Sequence, residues 1–175
     1  MSDVLNLDSI NLPITEGKIC MSAFPGRLGK SDFSYDLMAS FFSYLENNRY
    51  TILVSLIEDN EFDQFIPKEQ FLELLNGRSF GWRHHPIQDM LPPDGKFLLS
   101  FSDTHSEIMN ALRSGFGVAI HCKGGLGRSG TIAALLLRDF GFSSRQAIQM
   151  VRETRPGTIE TQEQERFLLS FDGNN

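Results

Sequence analysis

The chain has 175 residues, 41% hydrophobic and 22% charged, which suits one ordinary globular domain whose core needs no crosslinks or structural metal. Its net charge of −6 argues against nonspecific binding to nucleic acid or to an anionic membrane. No run of about eighteen apolar residues is present to span a membrane, and "MSDVLNLDSINL" lacks the basic-then-apolar order of a secretory signal. Two distant cysteines, Cys20 and Cys122, form no disulfide framework, so a reducing cytoplasm is the expected setting.

Residues 1–12 read as a flexible N-terminal arm and 13–175 as a single domain. "GKICMSAFPG" reads as a short strand entering a Pro-Gly turn. Phe33, Leu37, Phe41 and Leu45 then recur every four residues, as one face of a helix would. "YTILVSLI" is a continuous apolar run suited to a buried strand, and the acidic "EDNEFD" after it reads as a solvated loop. "PKEQFLELLNG" is a helix ended by Gly77, and "FGWRHHPI" a strand closed by Pro86. His84 and His85 are adjacent, so on a strand they face opposite sides and cannot jointly grip a metal.

Past the Pro-rich loop "QDMLPPDG", the spacing predicts a helix over 95–113 with Phe97, Phe101, Ile108 and Leu112 inward and Asp94 as its N-cap. "GVAIHC" is another buried strand, leading through a glycine loop into "SGTIAALLLRDFG", a helix apolar on most sides and hence central. "SSRQAIQMVRET", capped by Ser143 or Ser144, and "TQEQERFLLSF" close the chain as helices. Strands alternating with helices predict an α/β fold with a largely parallel central sheet flanked by helices.

The stretch "AIHCKGGLGRSGT" carries the chemistry. A loop running from a strand into a helix N-terminus binds anions, because its N–H groups lack helical partners and the helix dipole favours negative charge. Gly124, Gly125 and Gly127 let several amides turn toward one oxyanion, and Arg128 adds a planar fork of donors for phosphate oxygens. Cys122 would sit beneath that anion, where the same amides stabilise a thiolate able to attack phosphorus. The formal GxGxxG of residues 125–130 lacks the acid that a dinucleotide site wants about twenty residues on. A P-loop nucleotide site is excluded because Thr131, not Lys, follows Gly130.

"HCKGGLGRS" resembles the HCxxGxxR[ST] signature of the cysteine-based protein phosphatases at every fixed position. The resemblance implies a phosphatase catalytic domain over 13–175, with Cys122 as nucleophile and Arg128 as phosphate binder. It further implies that His121 buttresses the loop, that Ser129 assists the departing thiolate, and that Lys123, Gly124, Gly125, Leu126 and Gly127 line the phosphate site. No metal or other cofactor is implied.

Such a mechanism needs a general acid on a nearby loop. Asp89 and Asp94 both qualify by position; Asp94 has a structural explanation as a helix cap, Asp89 has none, and Asp89 matches the family's acid loop. "HHPIQDMLPPD" resembles the kinase-associated, dual-specificity branch, which implies a phosphorylated protein substrate, a kinase among them. Gln164, in "TQEQERF", matches the family's late glutamine that orients water in the second step; a solvated helix residue is its other reading. A phosphoinositide phosphatase is the alternative enzyme, although Leu126 stands where lipid-selective relatives tend to carry another base. A phosphate-binding module without turnover is the third reading.

Overall fold

The computed structural model describes residues 5–30 and 32–171. Its elements in chain order are β1 (Leu7–Asn11), β2 (Lys18–Ser22), β3 (Arg27–Leu28), β4 (Asp32–Phe33), α1 (Tyr35–Asn47), β5 (Tyr50–Ser55), α2 (Asp59–Phe62) and α3 (Lys68–Leu75). There follow β6 (Gly81–His84), α4 (Gly95–Arg113), β7 (Gly117–His121), α5 (Gly127–Arg138), α6 (Ser144–Thr154) and α7 (Gln162–Leu169).

The five-stranded sheet has the order β1-β2-β7-β5-β6. β2, β7, β5 and β6 run parallel, and only β1 is antiparallel, pairing Leu7 with Ser22 through to Asn11 with Lys18. The fold is therefore mixed α/β with a largely parallel sheet. Parallel strands place all their C-terminal ends on one edge, so the segments after β2, β5, β6 and β7 converge there, which is where such sheets build their sites. The apolar strands β5 and β7 lie in the interior of the sheet, as runs without alternation should. Helix α5 packs on β2 and β7 and carries α6 and α7; α1 packs on β5 and α4 on β7. Ten of the twelve residues of α5 are buried, which explains why its sequence shows no polar face.

Helix α4 covers the expected span, and the Asp94 side chain accepts from the Phe97 N–H at 2.7 Å, filling one orphan donor of its first turn. Ser143, not Ser144, caps α6, in a reciprocal pair with Gln146. No helix among the described residues is long and apolar enough to cross a membrane.

Three expectations give way. The arm over residues 1–12 is a strand in its described part: Leu7, Ile10 and Leu12 are buried, and their irregular spacing in a polar stretch disguises a half-buried edge. Residues 1–4 lie outside the described residues. Phe33 belongs to β4, not to the following helix; Ser34 caps α1, whose buried face is Met38, Phe41, Phe42 and Leu45. The third, "EDNEFD", is the short helix α2, with Glu61 and Phe62 buried.

If β1 is part of the core, Ile10→Ala should cost about 2–4 kcal/mol in urea denaturation. A loss under about 0.5 kcal/mol would return the segment to the status of an arm.

Candidate active site

The glycine loop leaves β7 and enters α5 with its chemistry turned inward. Gly125 has φ +73°, and a Cβ there would lie 2.4 Å from the Ala23 nitrogen, so conformation and space both demand glycine. Its N–H donates to the Cys122 Sγ at 3.2 Å, and the Ser129 hydroxyl lies 3.5 Å from the same sulfur. The loop's carbonyls are held elsewhere. That of Lys123 accepts from Arg27 Nη1 at 2.6 Å and from the Phe24 N–H at 3.2 Å. That of Leu126 accepts from the N–H groups of Gly130 and Ile159. Each trans peptide unit so held points its own N–H away from its carbonyl's partner.

Arg128, only 2% exposed, is gripped by a residue that sequence reasoning set aside. Its Nη1 and Nη2 donate to the two carboxylate oxygens of Glu61 at 2.6 and 2.9 Å, and Nη1 also to the Ile87 carbonyl at 3.1 Å. Burial works against the charge on both partners. For Arg128 it is outweighed by the Glu61 bond, then by Cys122, and its pKa rises. For Glu61 it is outweighed by the Arg128 bond and the Glu58 N–H, and its pKa falls. Both therefore stay ionised. Because the guanidinium is planar, this grip fixes its plane, and Nε takes no part in it.

The same Nη2 meets Asp89 Oδ1 at 3.0 Å, while the Asp89 side chain remains half exposed. Asp89 is thus brought to Arg128, and Asp94 is spent on its helix cap. The segment carrying Asp89 is tied down at several points. The Ile87 N–H donates to the Leu56 carbonyl at 2.9 Å, the Thr161 hydroxyl donates to the Met90 carbonyl at 3.1 Å, and Gln164 Nε2 lies 3.4 Å from the Leu91 carbonyl. Gln164 is fully buried and its amide packs against Gly127, so it is not a solvated helix residue. Lys123 is half-buried at the loop's edge.

Behind the sulfur, His121 is fully buried. Its Nδ1 faces the Cys122 carbonyl at 3.2 Å, and its Nε2 faces the Ser55 hydroxyl at 2.5 Å. Trp82 Nε1 donates to that hydroxyl at 2.8 Å. A carbonyl can only accept, so Nδ1 carries the proton, Nε2 accepts from Ser55, and Ser55 accepts from Trp82. Burial pushes the His121 pKa down to about 3, which keeps the ring neutral and the chain of donors consistent. His84 and His85 go to separate partners, the Ile57 carbonyl and the Thr104 hydroxyl.

A sulfur under inward amides, a fixed guanidinium and a carboxyl on a tethered loop can together hold and attack a phosphate ester. Comparison with known proteins agrees. The family model described as "PTP-SAK: Swiss Army Knife protein, DSP-PTPase phosphatase domain" matches residues 82–168. Cyclin-dependent kinase inhibitor 3 of Rattus norvegicus is 38% identical over 91 residues, covering 50% of this chain and 42% of the relative. Dual specificity protein phosphatase CDC14AB of Danio rerio is 30% identical over 155 residues, 83% of this chain and 22% of its own length. The chain thus spans less than half the length of these curated relatives.

Among solved structures, kinase associated phosphatase with its catalytic-site cysteine replaced by serine shares 25% identity, with a TM-score of 0.78 over 95% of this chain and 93% of that one. Tk-PTP in the active form shares 29%, with a TM-score of 0.67 over 90% and 92%. Fold, loop and relatives together place the chain among the cysteine-based protein phosphatases, in their dual-specificity branch.

Removing one member of a buried ion pair strands the other charge, so Glu61→Ala should cost about 3–5 kcal/mol in urea denaturation. A loss under about 0.5 kcal/mol would mark Glu61 as a solvated acid after all. The folded pKa of His121 lies below its ordinary 6.5, so its contribution to stability is present above pH 6.5 and is lost on acidification toward pH 3. Within that window stability should fall by up to about 1.4 kcal/mol per pH unit from this group. The measurement is denaturation from pH 4.5 to 7, with His121→Asn flattening the slope.

Proposed function

We propose that the chain hydrolyses phosphomonoesters on proteins, on phosphotyrosine and also on phosphoserine or phosphothreonine, through a phosphocysteine intermediate. The observation that carries this reading is the meeting of Cys122, Arg128 and Asp89 around one loop: an amide on the sulfur at 3.2 Å and a carboxyl 3.0 Å from the guanidinium.

In the first step the Cys122 thiolate attacks phosphorus, the S–P bond forms, and the bond from phosphorus to the ester oxygen breaks. The loop amides, the α5 N-terminus and the Nε–Nη2 edge of Arg128 hold the charge spread over the three equatorial oxygens. A phosphate on that edge competes with Asp89 for Nη2, which releases the carboxyl. Asp89, protonated, gives its proton to the leaving oxygen. In the second step water attacks the phosphocysteine, Asp89 takes a proton from it, the S–P bond breaks and inorganic phosphate leaves. Ser129, 3.5 Å from the sulfur, donates to the departing thiolate, and Gln164 positions the water from its buried place beside Gly127. His121 holds the Cys122 carbonyl and so the pivot of the loop. The loop and Arg128 carry the charge that a metal would otherwise stabilise, so the mechanism calls on none.

Protein substrates are favoured over phosphoinositides by charge. The Glu160 carboxylate lies against Gly127, where additional ring phosphates would be repelled, and Leu126 adds no base. Similarity to a cyclin-dependent kinase inhibitor makes a phosphorylated kinase one class of partner to try. Dependence on a free thiol fits a reducing compartment such as the cytoplasm.

The wild-type chain is expected to hydrolyse an aryl phosphate and phosphopeptides ahead of phosphoinositide vesicles, with vanadate as inhibitor. Cys122→Ser should lose about 10³-fold or more of kcat; retained turnover refutes the mechanism. Asp89→Asn should lose about 10²-fold or more. Asp94→Asn should stay near wild type because asparagine caps a helix as well as aspartate does. The reverse ranking would transfer the acid to Asp94.

A further inference from the structure

Arg155 stands at the C-cap of α6, 8% exposed, remote in sequence from the glycine loop and with no part in the chemistry above. Its guanidinium nevertheless makes two bonds to that loop. Nε donates to the Gly125 carbonyl at 2.7 Å, and Nη2 reaches the Gly124 carbonyl at 3.4 Å. The other side of the fork is held by the N-terminal segment: Nη1 pairs with Asp8 Oδ2 on β1 at 2.6 Å, and Nη2 donates to Asn6 Oδ1 at 2.6 Å.

These two carbonyls are not incidental acceptors. The Gly124 carbonyl belongs to the peptide unit whose N–H is that of Gly125, the amide that meets the Cys122 sulfur at 3.2 Å. The Gly125 carbonyl belongs to the unit whose N–H is that of Leu126. In a trans unit, carbonyl and N–H point in opposite directions. Drawing both carbonyls onto one guanidinium therefore aims both amides into the bowl. Glycine makes the units easy to flip, and Gly125 sits at φ +73°, so an outside restraint has something to restrain.

We propose that Arg155 is a positioning residue for the phosphate loop, and that Asp8 and Asn6 on the N-terminal segment hold it in place. The inference rests on the phosphatase reading above. β1 then belongs to the catalytic apparatus without approaching the substrate, and the segment that the sequence presents as an arm sets the aim of two oxyanion donors.

The test measures kcat on an aryl phosphate and the inhibition constant of vanadate, with folding checked by circular dichroism. The variants are Arg155→Met, Arg155→Lys and Asp8→Asn, with Leu45→Ala beneath α1 as a destabilised control. Folded Arg155→Met should lose about tenfold or more in kcat and bind vanadate weaker by a similar factor, since a misaimed oxyanion donor forfeits much of its value. Arg155→Lys, which can reach one carbonyl at a time, should fall between. Asp8→Asn should lose about threefold in both, the scale of one partly exposed ion pair. Leu45→Ala should lose stability while keeping wild-type kcat and vanadate inhibition.

Folded arginine variants matching wild type in both measurements overturn the proposal, as does a control that declines in step with them. Should Arg155→Met not fold, Asp8→Asn and Arg155→Lys decide: wild-type vanadate inhibition in both overturns the proposal. Failure of the phosphatase reading itself looks different, because wild-type protein would then show no turnover, or Cys122→Ser would keep it.

Discussion

A bowl that binds an oxyanion with backbone amides must turn its N–H groups inward, and every peptide unit that does so throws a carbonyl outward. Left unpaired beneath other structure, each such carbonyl would cost about 1–3 kcal/mol. The glycine loop satisfies them one by one. Arg27 and the Phe24 N–H take Lys123, Arg155 takes Gly124 and Gly125, and the N–H groups of Gly130 and Ile159 take Leu126. These partners come from the turn after β2, the start of β3, the end of α6, the start of α5 and the segment before α7. Much of the sheet's C-terminal edge is thus engaged in keeping one short loop in an orientation it would not adopt alone.

The charges around Arg128 divide the labour in the bowl. Glu61 is buried and ionised against Arg128, so the pair is close to neutral and adds little net attraction for a dianion. His121, neutral at any ordinary pH, adds none. Net attraction for phosphate then falls on the loop amides and the N-terminus of α5, which act at contact distance in a place shielded from water. What Arg128 supplies is direction, since a guanidinium held in plane by Glu61 meets two oxygens without losing further rotamer freedom. That view also explains a buried ion pair that burial alone would disfavour.

The parts of this site that the sequence disclosed were those whose chemistry is local. Cys122, Arg128 and Ser129 fall within eight residues, and the strand before and helix after them were visible from composition and periodicity. Asp94 was legible as a cap because a cap is a relation between neighbours. Glu61 was not, because "EDNEFD" has the composition of a solvated turn, and what buries Glu61 is a guanidinium 67 positions later. β1 was missed for a related reason: Leu7, Ile10 and Leu12 do not alternate cleanly, and only pairing with β2 turns them into a core. On the face of α1, Phe41 and Leu45 are buried as the spacing predicts, but Phe33, which shares that spacing, lies before the Ser34 cap in β4. Glu61 is hidden by a partner distant along the chain, whereas β1 and Phe33 turn on strand pairings close by in sequence.

Trp82 is the chain's one tryptophan, and its indole proton ends on the Ser55 hydroxyl, whose own proton ends on the imidazole adjoining Cys122. Two side chains, Ser55 and His121, therefore connect a natural fluorophore to the backbone of Cys122. A shift of the Cys122 carbonyl, as on thiol alkylation, has a hydrogen-bonded route to that indole through His121 and Ser55. The emission wavelength of Trp82 is therefore the place to look for such a shift without an added label.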